Sequence, residues 1–397
     1  MSLNSTPSAE RVHIGIFGKR NAGKSSLINA ITNQDIAIVS EVKGTTTDPV
    51  YKAMELLPLG PVMIIDTPGL DDEGQLGTQR MDKAFQVLGK TDIALLVADA
   101  NAGLTELEEM LIAKFKEKKI TYIIAYNKAD LLTEETPLAN ENEIYVSAVT
   151  KHHIFELKEM LAKLIPDDEQ GLRIVGDLLE TGDFVVLVVP IDSSAPKGRL
   201  ILPQQQTIRD ILDSDAIAIV TKQTELQQTL DGLGKKPRLV ITDSQVFNEV
   251  SKIVPQDIPL TSFSILFARY KGNFEELISG VSAIAKLKDG DKILISEGCT
   301  HHRQCDDIGT TKIPKWLEKF TGKHFIFDSS SGTGFPQNLH DYSLVIHCGG
   351  CILNRREMQH RIGLVQSQGV PIVNYGILIS YINGILARSI EPFKLNL

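Results

Sequence analysis

The chain has 397 residues, too many for one compact core, so two or three domains are expected. At 42% hydrophobic and 23% charged residues its composition is that of a globular protein, and a net charge of -9 argues against a broad basic surface for nucleic acid. No apolar run reaches the roughly eighteen residues of a membrane helix, and Met1 to Glu10 lacks a signal-peptide core, so a cytoplasmic location is expected.

In chain order, Val12 to Phe17 reads as a strand, followed by a Gly-rich turn and a helix from Lys24 to Ile31. Pro61 to Ile65 is a strand ending at Asp66. Asp92 to Ala98, Thr121 to Ala125 and Ile144 to Val146 are further strands with helices between them. Apolar runs of this kind predict a parallel sheet covered on both faces. The first domain ends near Ile165, before a linker from Pro166 to Gly171. The alternation then repeats with strands Phe184 to Val189, Ala216 to Val220 and Arg238 to Thr242, and helices near 205–213, 223–232 and 245–253. No catalytic motif is found there, and a scaffold or oligomer contact is the expected role.

A third segment starts near Ser262. Phe274 to Leu287 reads as a helix and Lys292 to Ile295 as a strand. Pro314 to Phe320 is helical, His324 to Phe327 is a strand, and Ser343 to Ile346 is a strand leading into Cys348. Asn354 to Gln368 is a helix, Pro371 to Asn374 a strand and Ile377 to Ala387 a helix. The fold class is therefore α/β, with three domains over 1–168, 169–262 and 263–397, each a mainly parallel sheet flanked by helices. Trp316 is expected to pack its helix on the third core, and Glu106 to Lys119 to present a solvated helix face.

Gly18-Lys-Arg-Asn-Ala-Gly-Lys-Ser25 fits the phosphate-binding loop G-x-x-x-x-G-K-[ST] after a strand and before a helix. Its glycines let backbone N–H groups approach phosphates, so Gly18, Asn21, Ala22, Gly23, Lys24, Ser25 and Ser26 are candidate nucleotide contacts. Lys24 would reach the β- and γ-phosphates and Ser25 would hold Mg²⁺, while the helix N-terminus adds partial positive charge. In Asp66-Thr-Pro-Gly69, Asp66 can bind the metal through water and the Gly69 N–H can sense the γ-phosphate. In Asn127-Lys128-Ala-Asp130, a carboxylate can accept both N–H groups on the Watson–Crick edge of guanine, and Ser147-Ala148 can support its carbonyl. In this order the motifs specify GTP, and the domain resembles a GTPase of the translation-factor-related class.

Within that class the domain is most similar to the tRNA-modifying, MnmE-type GTPases. The resemblance implies that Gly44-Thr-Thr-Thr-Asp48 is the first switch, with Thr46 the second Mg²⁺ ligand. It also implies that Asn21 helps bind K⁺ beside the phosphates, supplying charge that an arginine finger supplies elsewhere. Leu70 occupies the place of the water-orienting glutamine of Ras-like proteins, so slow intrinsic hydrolysis, stimulated by potassium, is expected.

All four cysteines, Cys299, Cys305, Cys348 and Cys351, lie in the last hundred or so residues, which points to a local metal site more than to a disulfide framework. Cys348-Gly-Gly-Cys351 alone is open between zinc, an iron–sulfur cluster and a redox dithiol. Its partner segment, Glu297 to Cys305, also follows a strand, and strand carboxyl ends are where loops converge in open sheets. Three thiolates with a replaceable fourth ligand suit a [4Fe–4S] cluster.

Cys299-Thr-His301 followed by His347-Cys348-x-x-Cys351 resembles the signature of the HydF family of [FeFe]-hydrogenase maturation GTPases, and the resemblance covers the whole chain. It implies a [4Fe–4S] cluster on Cys299, Cys348 and Cys351, with His301, His347 or Glu297 as an exchangeable fourth ligand and Cys305 outside the signature. It further implies a homodimer through the middle domain and a scaffold role. The protein would accept a transient di-iron precursor from two radical-SAM maturases, HydE and HydG, and deliver it to apo-[FeFe]-hydrogenase. The alternatives are a tRNA-modification or ribosome-assembly GTPase with a structural zinc, and a GTP-dependent redox sensor.

Overall fold

The computed structural model describes residues 6–33, 48–70, 75–133, 140–165, 173–191, 200–298, 307–332 and 334–394, with side chains 75–79 left aside. Thr46 and the rest of the expected first switch before Asp48, the expected linker, and Cys299, His301 and Cys305 lie outside the described residues. The chain divides into two compact units, Met1–Gln170 and Gly171–Leu397.

In the first unit six strands form one sheet: β1 (Val12–Phe17), β2 (Val50–Leu56), β3 (Gly60–Asp66), β4 (Ile93–Asp99), β5 (Thr121–Asn127) and β6 (Glu143–Tyr145). Their order is β2-β3-β1-β4-β5-β6. All neighbours run parallel except β2, which pairs antiparallel with β3 at one edge. Period-two alternation explains the two cores. Ile14 and Ile16 of β1 join one apolar cluster with Leu27 and Leu157, and Phe17 joins the other with Ile65, Leu96 and Phe115. The sequence reading missed β2, whose half-exposed residues give it no continuous apolar run.

The second unit holds two four-stranded parallel sheets. One comprises β7 (Phe184–Val188), β8 (Ile217–Thr221), β9 (Leu239–Thr242) and β10 (Leu260–Ser262), in the order β10-β9-β7-β8. The other comprises β11 (Lys292–Glu297), β12 (Ile326–Ser331), β13 (Leu344–His347) and β14 (Ile372–Asn374), in the order β12-β11-β13-β14. Val186, Val188 and Val240 of the first sheet share an apolar cluster with Ile293, Leu344 and Ile372 of the second. Trp316 packs against that cluster.

Several elements differ from expectation: β10 was not expected, and the helix expected over 274–287 is an α-helix over Phe274–Ser279 that continues as a 3-10 helix over Gly280–Lys286. A helix over Phe263–Lys271 stands where none was read; Ser262 caps it, its hydroxyl accepting from the Ile265 N–H. The strand expected at 324–327 runs instead over Ile326–Ser331. The helix expected over 377–387 is two, Tyr375–Ile382 and Leu386–Ile390, because Gly384 takes φ 71° between them. Among the described residues no helix is long and apolar enough to cross a membrane.

Candidate functional site

The phosphate loop lies between β1 and the helix Lys24–Thr32. Gly18 and Gly23 carry φ of 142° and 88°, conformations that glycine adopts without a Cβ penalty. A Cβ on Gly18 would stand 2.2 Å from the Val97 carbonyl oxygen, so the loop is pressed against β4. Asn21 sits at φ 61°, in the left-handed region that asparagine tolerates better than most residues. Lys24 is buried, and its ammonium donates to Gly18 O at 2.9 Å and Lys19 O at 2.7 Å. These contacts fold the amine over the loop, at the place where phosphate oxygens would compete for it.

Asp66 ends β3, and Ser25 donates to its carboxylate. Burial holds its pKa above the usual value, while Lys24, Lys52 and the Ser25 bond oppose that rise. A divalent cation beside it would restore the charge. Gly69 lies against Arg20, with its virtual Cβ 2.9 Å from the arginine Cβ. Leu70 is buried and presents no polar atom to a water.

The base-reading segment is braced to the phosphate loop. Asn127 Nδ2 donates to Ala22 O at 3.0 Å, and its Oδ1 accepts from the Ala148 N–H at 3.1 Å. A side chain on Gly23 would strike Asn127 Nδ2 at 2.2 Å, so that glycine is needed for the brace as well as for its backbone angle. Lys128 takes φ 67° and its ammonium donates to Asp99 at 2.7 Å, which holds that carboxylate below its usual pKa against the cost of burial. Ser147 Oγ donates to one oxygen of the exposed Asp130 at 2.5 Å, fixing the carboxylate that would meet the base. Lys24, Asp66, Asn127, Asp130 and Ser147 thus gather around the carboxyl ends of parallel strands, as the motifs predict.

The second unit brings Glu297 and Gly298 beside the cysteine loop. β11 and β13 are adjacent and parallel, with Ser296 opposite His347, so both chain segments emerge at one sheet edge. Cys348 Sγ accepts from the Gly298 N–H at 3.1 Å and the Gly350 N–H at 3.3 Å. Hydrogen bonds to the charged form favour a thiolate. A side chain on Gly298 would force Leu353 to move, because its Cβ would lie 2.8 Å from Leu353 Cγ. Gly350 turns the loop at φ 60°. Both thiols are half-buried and not joined in a disulfide. Burial pushes the Cys351 thiol up, and the nearby Lys271 ammonium acts against it.

Of the candidate fourth ligands, His347 is fully buried with both ring nitrogens engaged. Its Nδ1–H donates to Cys348 O at 2.8 Å, and Nε2 accepts from Arg361 Nη1 at 3.3 Å. Burial, then Arg361, lowers its pKa to about 3, so the ring is neutral. In this arrangement His347 offers no nitrogen to a metal; it supports the loop from below. Glu297 is half-exposed, and its Oε1 accepts from Tyr375 OH at 3.3 Å. Among the described residues no three Cys, His, Asp or Glu side chains form a metal-holding group; Cys299 is not among them.

Residues 174–272 match the hydrogen maturase F dimerization domain and 275–392 the hydrogen maturase F tetramerization domain, together more than half of the chain. The chain belongs to the hydrogen maturase F family. Residues 13–128 match the 50S ribosome-binding GTPase domain. This member of the hydrogen maturase F family is 33% identical over 168 residues to GTPase Der of Wolinella succinogenes, covering 38% of this chain and 36% of that protein. It is 32% identical over 209 residues to GTPase Der of Kosmotoga olearia, covering 48% of this chain and 47% of that protein. It is 37% identical over 163 residues to the tRNA modification GTPase MnmE of Legionella pneumophila, covering 39% and 35%. The chain thus spans about a third to a half of the length of these curated relatives.

Sequence reasoning missed several side chains that shape the cysteine loop of this member of the hydrogen maturase F family. Lys271, Arg361 and Tyr375 all contact it or its neighbours. Lys271 and Arg361 act on backbone carbonyls or a ring nitrogen, which leave no motif. A Cβ on Gly309 would meet Tyr375 OH at 2.3 Å and Glu297 Oε1 at 2.5 Å, so the Ile308–Lys312 turn closes on the same pair. No spacing rule pointed to it.

Proposed function

We propose that this chain is a GTP-hydrolysing scaffold and carrier for [FeFe]-hydrogenase maturation. In this reading it binds a [4Fe–4S] cluster on Cys299, Cys348 and Cys351 and delivers a di-iron precursor, made by HydE and HydG, to apo-[FeFe]-hydrogenase. The observation that carries it is the Cys348–Cys351 loop at the carboxyl end of β13, in a chain matching the two hydrogen maturase F models. The donor set fits such a cluster: soft thiols, two N–H groups on Cys348 Sγ and a buried ammonium beside the loop all favour an anionic thiolate-bound centre. A bound cluster would supply iron with one exchangeable position. Glu297 or His301 is the fourth ligand we favour, because both His347 nitrogens are occupied.

The residues of the first unit support GTP hydrolysis by positioning and charge. Lys24 and the loop N–H groups would hold the phosphates, Asp130 the guanine, and Ser25 with Thr46 the Mg²⁺ that neutralises phosphate charge. Leu70 cannot orient the attacking water, so turnover is slow. Asn21, fixed in its left-handed turn, is assigned to K⁺. Replacing K⁺ by Na⁺ is therefore expected to lower the steady-state hydrolysis rate about tenfold or more; equal rates in the two salts remove the assignment. We place the domains at 1–168, 169–262 and 263–397, dimerisation in the middle one, and the protein in the cytoplasm.

The carrier role has a direct assay. The anaerobically reconstituted chain, loaded by HydE and HydG, is incubated with apo-[FeFe]-hydrogenase and hydrogen evolution is followed. Activation that depends on this chain, and changes with GTP, is the expected result. Hydrogenase that stays inactive would overturn the carrier reading.

A further inference from the structure

Lys271 is 1% exposed, yet it is a lysine. It ends the helix Phe263–Lys271, where a cation is favoured by the helix dipole. Its ammonium donates to three carbonyl oxygens: Gly350 at 3.1 Å, Cys351 at 3.0 Å and Leu353 at 2.8 Å. Three carbonyls of one turn thus converge on the ammonium. Nζ also lies 5.4 Å from the centroid of the Phe267 ring.

Burying a charge is costly, so a lysine at this place implies a use for its donors and its charge. A methionine of similar length would fill the space without that cost. The loop that Lys271 grips carries two thiols, and its peptide groups are sorted around them. Carbonyls of Gly350 and Cys351 face the ammonium, while the Gly350 N–H faces Cys348 Sγ. The ammonium therefore holds the turn that presents both sulfurs and places a positive charge beside that loop.

Lys271 also belongs to a different part of the chain. It lies within the segment matched by the dimerization model, whereas the loop lies within the segment matched by the tetramerization model. The same helix reaches the next strand too. Ser264 Oγ donates to Asn374 Oδ1 at 3.0 Å and accepts from the Gly376 N–H at 3.1 Å, just after β14.

We infer that Lys271 is a positioning residue for the metal loop, through which the middle segment sets the iron affinity and reduction potential of the cysteine site. The inference rests on the reading of Cys348 and Cys351 as cluster ligands. A buried cation stabilises the more negative, reduced state of a bound cluster, so its loss makes reduction harder.

Two variants of the full chain separate charge from shape. Lys271→Met keeps the stem and removes both charge and donors. Lys271→Gln removes the charge but keeps two donors for the carbonyls. Each is reconstituted anaerobically with ferrous iron and sulfide. Iron affinity is read by chelator competition, the midpoint potential by EPR-monitored titration, and folding by circular dichroism. Lys271→Met is expected to lose roughly 10–100-fold in iron affinity. Lys271→Gln, the variant that decides if the methionine form does not fold, is expected to show a more negative midpoint potential with wild-type secondary structure. A loss of packing alone would weaken binding without moving the potential in that direction. Wild-type affinity and potential in Lys271→Gln overturn the assignment of Lys271. Failure of the wild-type chain itself to take up iron overturns the cluster reading instead, so the two failures are distinguishable.

Discussion

Asp130→Asn is expected to exchange guanine for xanthine recognition. In the wild type one oxygen of Asp130 is held by Ser147 Oγ, and the carboxylate is exposed where a base would dock. Guanine offers two N–H groups there, and both need acceptors. An asparagine turns one acceptor into a donor. Each charge-assisted hydrogen bond is worth about 1.5–3 kcal/mol, so losing one, and the charge assistance of the other, should weaken GTP roughly 10–10³-fold. Xanthine carries a carbonyl where guanine has its amino group, so the carboxamide of the variant can donate to it and accept from the ring N–H. The brace from Asn127 to Ala22 and Ala148 does not involve residue 130, so the pocket should survive the change. Fluorescence titration with labelled GTP and XTP measures both effects. Unchanged GTP affinity would mean that Asp130 does not read the base.

Much of this site was legible in the sequence because phosphate binding makes demands that few residues meet. Gly18 and Gly23 stand at backbone angles and close approaches that exclude a Cβ, and Lys24 is the amine the loop wraps. The continuous apolar runs between helices likewise marked a sheet covered on both faces, and Ile14 and Ile16 do join one core while Phe17 joins the other. The cysteine loop was legible for a related reason: thiols are few, and the four cluster near one end of the chain. What was hidden depends on partners that have no sequence signature. Lys271 binds carbonyls, which every residue carries. His347 looked like a ligand beside Cys348, but its neighbour Arg361 comes from a helix that no cysteine motif includes. The edge strand β2 was hidden because an edge needs no continuous apolar run. The break between the helices ending at Ile382 and starting at Leu386 turns on Gly384, whose effect depends on its left-handed angle.

Cys348→Ser is expected to abolish the cluster. Cys348 Sγ is the sulfur that two backbone N–H groups already serve, from Gly298 on the β11 side and Gly350 within the loop. Those donors stabilise a thiolate, the form that ligates iron. A serine hydroxyl stays protonated near neutral pH and is a hard oxygen, a poor ligand for iron in a sulfide cluster. Its bonds to carbon and hydrogen are also shorter, so the two N–H donors would lose their partner distance. The reconstituted variant should hold little iron and give no [4Fe–4S]⁺ EPR signal on reduction, with Cys299→Ser and Cys351→Ser behaving alike. Cys305→Ser, outside the signature, should keep the signal. In the wild type, added imidazole should shift the spectrum by entering the exchangeable position. A Cys348→Ser protein with wild-type iron and an unchanged spectrum would remove this cysteine from the ligand set. A colourless wild type holding one zinc per chain would instead favour a structural metal beside the GTPase, because zinc closes its tetrahedron and leaves no open position for a precursor.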